Sequence, residues 1–441
     1  MNSKKTQTAP KDEWKADEGI LGRNLMAILR RVPMFFLACA LVPVAAQIAS
    51  AQTETTLYTF CSLPNCTDGT IPGANLLWNA QGNLYGVAQG GGGNNAGGVV
   101  FELNPGGAET LIYSFTAINQ GLGPNGGLVQ DSAGNLYGTT VGGGHDKKPC
   151  KKLAGCGLVY KLTNGNETVL YNFLGTTDGD EPNGTLVIDN QGNLYGTTYA
   201  GGDGSGTPAG TIFKVTSTGT ETVLHRFGDV AADGKFPNAG VVMDKKGNLY
   251  GTTIYGGIDG NYGPGLICHN KCGVVFELTA AGVEKVLYAF AGSEKRDGAA
   301  PFAGLIMDSK GNLYGTTFAG GLYGQGTVFK LTPTGQETVL YSFGLPPDGG
   351  FPVGRLVLDA QGNLYGATAF GGAHAQGTVF KLTPSHQEKT LYDFTGGADG
   401  GQPLDGLAID PQGNLYGSTF IGGNFSPQCI VGCGVVFKVA P

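Results

Sequence analysis

The pentapeptide Gly-Asn-Leu-Tyr-Gly does most to limit how this chain can fold. It occurs seven times, starting at Gly82, Gly134, Gly192, Gly247, Gly311, Gly362 and Gly413. Successive copies lie 51 to 64 residues apart, a period typical of stacked or radially arranged repeats. Each unit holds four short apolar runs. In one complete unit these are Gly304-Leu-Ile-Met-Asp308, Asn312-Leu-Tyr-Gly-Thr-Thr317, Gly326-Thr-Val-Phe-Lys-Leu-Thr332 and Glu337-Thr-Val-Leu-Tyr-Ser-Phe343. The runs are rich in β-branched and aromatic residues and end at Gly, Pro or Asp, which is a strand pattern. No part of residues 52–441 shows helical periodicity.

Two short connections recur. Asp-x-x-Gly-Asn joins the first and second runs, as at Asp308-Ser-Lys-Gly-Asn312, and Thr332-Pro-Thr-Gly-Gln-Glu337 joins the third and fourth. Asp bonds its own turn backbone and Gly supplies positive φ, so both are tight hairpins. The Asp stands in six of seven units, with Asn79 in the first, as expected of a turn former rather than a catalytic acid. The chain ends complete the argument. The segment after residue 52 opens on a fourth-type run, 54–60, and the sequence closes on a third-type run, 434–439. Pairing these two makes a seventh unit and leaves no open edge. The expectation is therefore an all-β, seven-bladed β-propeller of four-stranded blades over residues 52–441, closed by strand 54–60 lying against strand 434–439.

The first 51 residues read as an export signal. Arg23, Arg30 and Arg31 precede the apolar stretch 34–46, which is too short to span a bilayer, and Ala49-Ser50-Ala51 is a small-residue cleavage site. Signal removal leaves no membrane span and eight cysteines in four close pairs: Cys61/Cys66, Cys150/Cys156, Cys268/Cys272 and Cys429/Cys433. Even count, local pairing and export together predict disulfides. None of the pairs has zinc-type spacing and the histidines show no ligand spacing, so no metal is assigned. With 27 basic against 34 acidic residues the chain is mildly acidic, which excludes an electrostatic footprint for nucleic acid.

The runs Asn-Leu-Tyr-Gly-Thr-Thr, Gly-Thr-Val-Phe-Lys-Leu and Glu-Thr-Val-Leu-Tyr-Ser-Phe resemble the bacterial GloVer (Gloeo-Verruco) tandem-repeat family, and the Asp-x-x-Gly-Asn-Leu-Tyr turn is similar to NHL-type propeller repeats. The resemblance implies an exported or surface protein without catalytic residues to carry over. The NHL likeness implies that the first run is the inner strand and the fourth the outer.

Strands of a blade alternate in direction, so the two tight turns share one face of the disc and the other two connections share the opposite face. These are longer and variable: one begins Gly-Gly, as at Gly320-Gly321, and the other carries Asp-Gly-x-x-Pro, as at 348–352. Variable loops on a rigid scaffold are the usual place for binding, and all four cysteine pairs fall on this face. Candidate contacts there are a basic cluster, Lys147, Lys148, Lys151 and Lys152, suited to a carboxylated polymer. A second cluster, Asp178, Asp180 and Glu181, has the oxygen ligands calcium takes but not EF-hand spacing. Tyr255, Tyr262 and Tyr323, with Phe318 and Phe370, are placed to stack on sugar rings. The expected function is that of a secreted or cell-surface, non-enzymatic binding or structural propeller that uses its long-loop face, with an extracellular polymer or protein as partner, a glycan or envelope polymer among them. The alternative is an extracellular or periplasmic hydrolase or lyase with acids or a His from different blades at the channel mouth.

Overall fold

A computed structural model describes residues 54–93, 97–144, 150, 155–202, 209–229, 232–257 and 272–440. It is a seven-bladed β-propeller. Every blade is an antiparallel sheet in the order inner, second, third, outer strand. Blade 5 shows the pattern: Ile306–Met307 pairs with Leu313–Thr317, that strand with Thr327–Leu331, and that one with Glu337–Ser342. Blade 7 is composite, with Glu54–Thr59 of the N-terminal segment paired against Val435–Val439 and the Phe60 amide donating to the Gly434 carbonyl at 3.1 Å. The expected closure is present. Among the described residues no helix is long and apolar enough to cross a membrane.

One element differs from expectation. Asp-Gly-x-x-Pro is the first half of the inner strand rather than a loop: Gly298–Ala299 pairs with Ala319–Gly320, and Gly349–Gly350 with Phe370–Gly371. The residue before its proline is left-handed in all seven blades, with φ between 52° and 63° at Ile71, Gly123, Glu181, Phe236, Ala300, Phe351 and Gln402. The cause is non-local. Each of these amides donates, at 2.6–3.2 Å, to a carbonyl in the loop before the third strand of the preceding blade, as Phe351 does to Gln325 at 2.7 Å. A buried amide left unpaired costs about 1–3 kcal/mol, so pairing it offsets a strained φ of similar cost.

The pentapeptide has a physical reason at every position. Gly311 turns the hairpin at φ 81°. The amides of Lys310 and Asn312 donate to Asp308 Oδ1, each at 2.9 Å, while the Asn312 side chain and the Tyr314 hydroxyl donate to Oδ2 at 2.7 and 3.2 Å. Burial would raise the Asp308 pKa, but these donors outweigh it and hold the carboxyl below its ordinary value. Leu313 is buried, and the Tyr314 ring packs on the Leu356, Leu364 and Phe380 cluster of the next blade. The last glycine, Gly315, lies flat under a ring, because a Cβ there would sit 2.7 Å from Phe329 Cζ.

That ring belongs to a series that fastens the blades together. An aromatic following each outer strand meets an aromatic of the next blade's third strand edge-on or tilted at 4.9–5.1 Å: Phe60–Phe101, Phe115–Tyr160, Phe173–Phe213, Phe227–Phe276, Phe290–Phe329, Phe343–Phe380 and Phe394–Phe437. There is one pair per interface, and the series passes through the closing blade unbroken.

Candidate binding site at the loop-face mouth

The Asp of Asp-Gly-x-x-Pro ties six of the seven outer strands to the following inner strand. Asp348 Oδ2 accepts from the Tyr341 hydroxyl at 2.9 Å and the Gly344 amide at 2.6 Å. A bulge at each outer strand, skipping Leu340 in blade 5, brings the tyrosine round to this carboxylate. Asp178 does the same in blade 3, accepting from Tyr171 and the Leu174 amide. In blade 4, His225 replaces the tyrosine, with Nε2 3.1 Å from Asp233. Blade 2 has no such Asp, and Tyr113 donates instead to Glu167 at 2.9 Å.

This places the acidic candidates. Asp178 is committed to the strand tie, and Asp180 and Glu181 lie in the inner strand Asp180–Pro182. Burial, then the neighbouring Glu181 charge, pushes Asp180 up to about 7. Their ligand oxygens do not converge: the metal-type grouping that includes Asp180 is Cys150 and Cys156 with Asp180, within 4.8 Å. The two other such groups among the described residues are Cys61, Cys429 and Cys433, and His225, Asp233 and Glu284. The sulfurs are engaged in disulfides Cys61–Cys66, Cys150–Cys156 and Cys429–Cys433. Cys272 is disulfide-bonded as well, whereas Cys268 lies outside the described residues. Two disulfides meet at the closing blade, one after its N-terminal strand and one before its C-terminal strand.

Lys147, Lys148, Lys151, Lys152 and Tyr262 lie outside the described residues. Tyr323 is 55% exposed at the tip of its Gly-Gly loop. Tyr255 is half-buried in the strand Tyr255–Gly256, and its ring lies 6.2 Å from Phe236, which in turn is 5.3 Å from Tyr199. Two blades on, Phe351 lies 6.0 Å from Phe370 and 5.0 Å from the buried Phe318. Tyr199, Phe236, Tyr255, Phe351 and Phe370 are all half-buried, and all but Phe236 pack on the core cluster that includes Phe318, so two aromatic groups are held by packing toward the loop-face ends of their strands with part of their surface exposed. Phe236 and Phe351 occupy the left-handed position, whose seven occupants share a backbone but differ in chemistry. Among the described residues, nine of the eleven exposed large hydrophobic ones also lie on loop-face connections, including Leu63, Leu345, Phe425 and Ile430.

Below this mouth the inner strands enclose a cavity of about 120 Å³. One side carries an amide chain: Gln89 donates to Asn125, Asn125 to Asn183 at 2.7 Å, Asn183 to Asn238 at 3.3 Å, and Asn238 to the Phe302 carbonyl at 3.3 Å. The corresponding residues on the other side are Phe302, Val353 and Leu404. The cavity lining has two titratable groups, Arg355 and Asp405.

The Gloeobacter/Verrucomicrobia repeat model matches residues 151–267 and 265–441, more than half of the sequence. The chain belongs to this repeat family. None of the curated proteins compared with this repeat protein matches it in sequence. Among solved structures it is similar to virginiamycin B lyase from Staphylococcus aureus, with 12% identity and a TM-score of 0.53 over 88% of this chain and 99% of that one. It is also similar to the extracellular domain of a putative hybrid two-component system from B. thetaiotaomicron, with 11% identity and a TM-score of 0.54 over 87% of this chain and 39% of that one. At such identities the likeness is one of fold.

Of the residues at this candidate site, sequence reasoning singled out Tyr255, Tyr323, Phe318 and Phe370 but not Phe236, Phe351, Tyr199, Arg355 or Asp405. The available signal was column by column. Within aligned repeats, a position that changes chemistry from blade to blade marks where the scaffold is free of symmetric packing.

Proposed function

We propose that this family member is an exported, non-enzymatic binding propeller that holds an extracellular polymer or protein, glycans foremost, at its loop-face mouth. The observation that carries the reading is the pair of half-buried aromatic groups, Tyr199–Phe236–Tyr255 and Phe351–Phe370, on positions the fold leaves variable. Rings fixed by packing offer flat apolar area at little entropy cost. Residues 1–51 act as the export signal, and the disulfides suit the compartment reached. Lys147, Lys148, Lys151, Lys152 and Tyr262 belong by sequence position to the same face and add contacts for an acidic polymer. The cavity lining holds one carboxyl, Asp405, and no histidine, so a hydrolase or lyase would need a second acid or a His from the loops.

Binding of the exported protein to a panel of polysaccharides and envelope fragments tests this, alongside a Phe236→Ala/Tyr255→Ala variant. Saturable binding without product, weakened about tenfold or more (~1.4 kcal/mol) in the variant, is expected. Product release would replace the reading with the hydrolase or lyase alternative, and unchanged binding by the variant would remove the aromatic mouth from it.

A further inference from the structure

The bore breaks the sevenfold symmetry in its charge. The third residue after the inner-strand proline is Gly in four blades and Asn75 and Thr185 in two, but blade 6 supplies Arg355. Its Nε is fully buried without a hydrogen-bond partner, and no ion pair holds the guanidinium among the described residues. Burial pushes its pKa below the ordinary arginine value. An enclosed cation that is not ion-paired with the one carboxyl of its cavity, Asp405, is costly, and the six other blades show that the fold does not need it.

We propose that the bore binds a small monocarboxylate, gripped by Arg355 and flanked by the amide chain on one side and by Phe302, Val353 and Leu404 on the other. The guanidinium fork matches a planar carboxylate with two parallel hydrogen bonds. One cation neutralises one negative charge, and the neighbouring Asp405 disfavours a second. That carboxyl accepts from the Ser418 hydroxyl at 3.2 Å and from the Ala74 amide. Burial raises it to about 6. Below that pH it is neutral and its repulsion of the ligand ends, so carboxylate binding tightens as pH falls from about 8 to about 5. Arg355 and Asp405 are the two titratable groups facing the site. The bore site and the aromatic mouth use different residues, and either stands without the other.

Titration calorimetry on the exported protein with sodium acetate, sodium lactate and inorganic phosphate, at constant chloride and at about pH 5.5 and about pH 7.5, tests the assignment. Acetate or lactate should bind at one site, more tightly at the lower pH and about tenfold or more above phosphate. Arg355→Gln should lose this binding about tenfold or more while melting no lower than the parent, because it removes an unpaired buried cation. Asp405→Asn gives a second check, since it should bind at the higher pH as the parent does at the lower. No saturable carboxylate binding, equal binding of phosphate, retention by Arg355→Gln or an unchanged pH dependence in Asp405→Asn would each overturn the proposal.

Discussion

The contact between Gly315 and Phe329 allows a quantitative test of how the blades are joined. Phe329 is 0% exposed and lies 5.1 Å from Phe290 of the preceding blade. Replacing it with alanine removes a buried ring and leaves a cavity, at a cost of about 3–5 kcal/mol. Gly315→Ala does the opposite. Its new Cβ would meet Phe329 Cζ at 2.7 Å and Leu305 Cδ2 at 2.9 Å, an overpacking worth about 1–3 kcal/mol. The φ of Gly315 is not left-handed, so the expected cost is steric and resides largely in the ring. In the double variant the ring is gone and the added methyl fills part of the void. The combined loss should therefore fall below the sum of the single losses by about 1–3 kcal/mol. Urea unfolding with disulfides intact measures all three, provided the m-values agree. Losses that add to within about 0.5 kcal/mol would refute the claim that the pentapeptide glycine exists to seat the interface ring.

Two further outcomes follow from the same structure. Glu109, Glu167, Glu221, Glu337 and Glu388, at the starts of outer strands, are pushed up to about 7, first by burial and for most of them also by the Asp that opens the inner strand of the same blade. Stability tied to their neutral form is complete below the ordinary glutamate range and is lost as pH rises through about 7, so melting temperature should climb between about pH 8 and about pH 5.5, and Glu337→Gln/Glu388→Gln should flatten that slope. Hairpin carboxyls such as Asp308 and Asp359 are shifted the other way and set the acid limb, because their contribution is lost as pH falls below the ordinary aspartate range; a melting temperature that keeps rising from about pH 5.5 to about pH 8 would contradict the glutamate assignment, and one that does not fall toward about pH 3 would contradict the aspartate one. Thiol titration of the unfolded, unreduced exported protein should find no free cysteine, and more than a trace would show that the four local pairs do not all form.

The repeat arithmetic made the blade number, the strand order and the closure legible, because each rests on local strand and turn chemistry copied seven times. The Asp-Gly-x-x-Pro segment was misjudged because its glycines and proline resemble a loop. Its strand character depends on an amide bond to the preceding blade, as from Phe351 to Gln325, and no local pattern encodes that. The mouth was half legible. Tyr255 and Tyr323 stand in loops that announce themselves by Gly-Gly, whereas Phe236 and Arg355 lie inside the inner strand and are conspicuous only against their counterparts in other blades. The acidic residues Asp178, Asp180 and Glu181 are neighbours in space as in sequence, since both others act on Asp180, but Asp178 is drawn to Tyr171 and the other two lie in the inner strand, engagements that no local pattern encodes.

Amide hydrogen exchange along residues 55–60 bears most directly on the closed ring. If this strand is bonded between Val435 and Val439 as observed, its amides should be protected to the same degree as their counterparts at 338–343 in the interior blade 5. Exchange at the rate of an unstructured chain, with blade 5 still protected, would mean that the ring does not close through its termini.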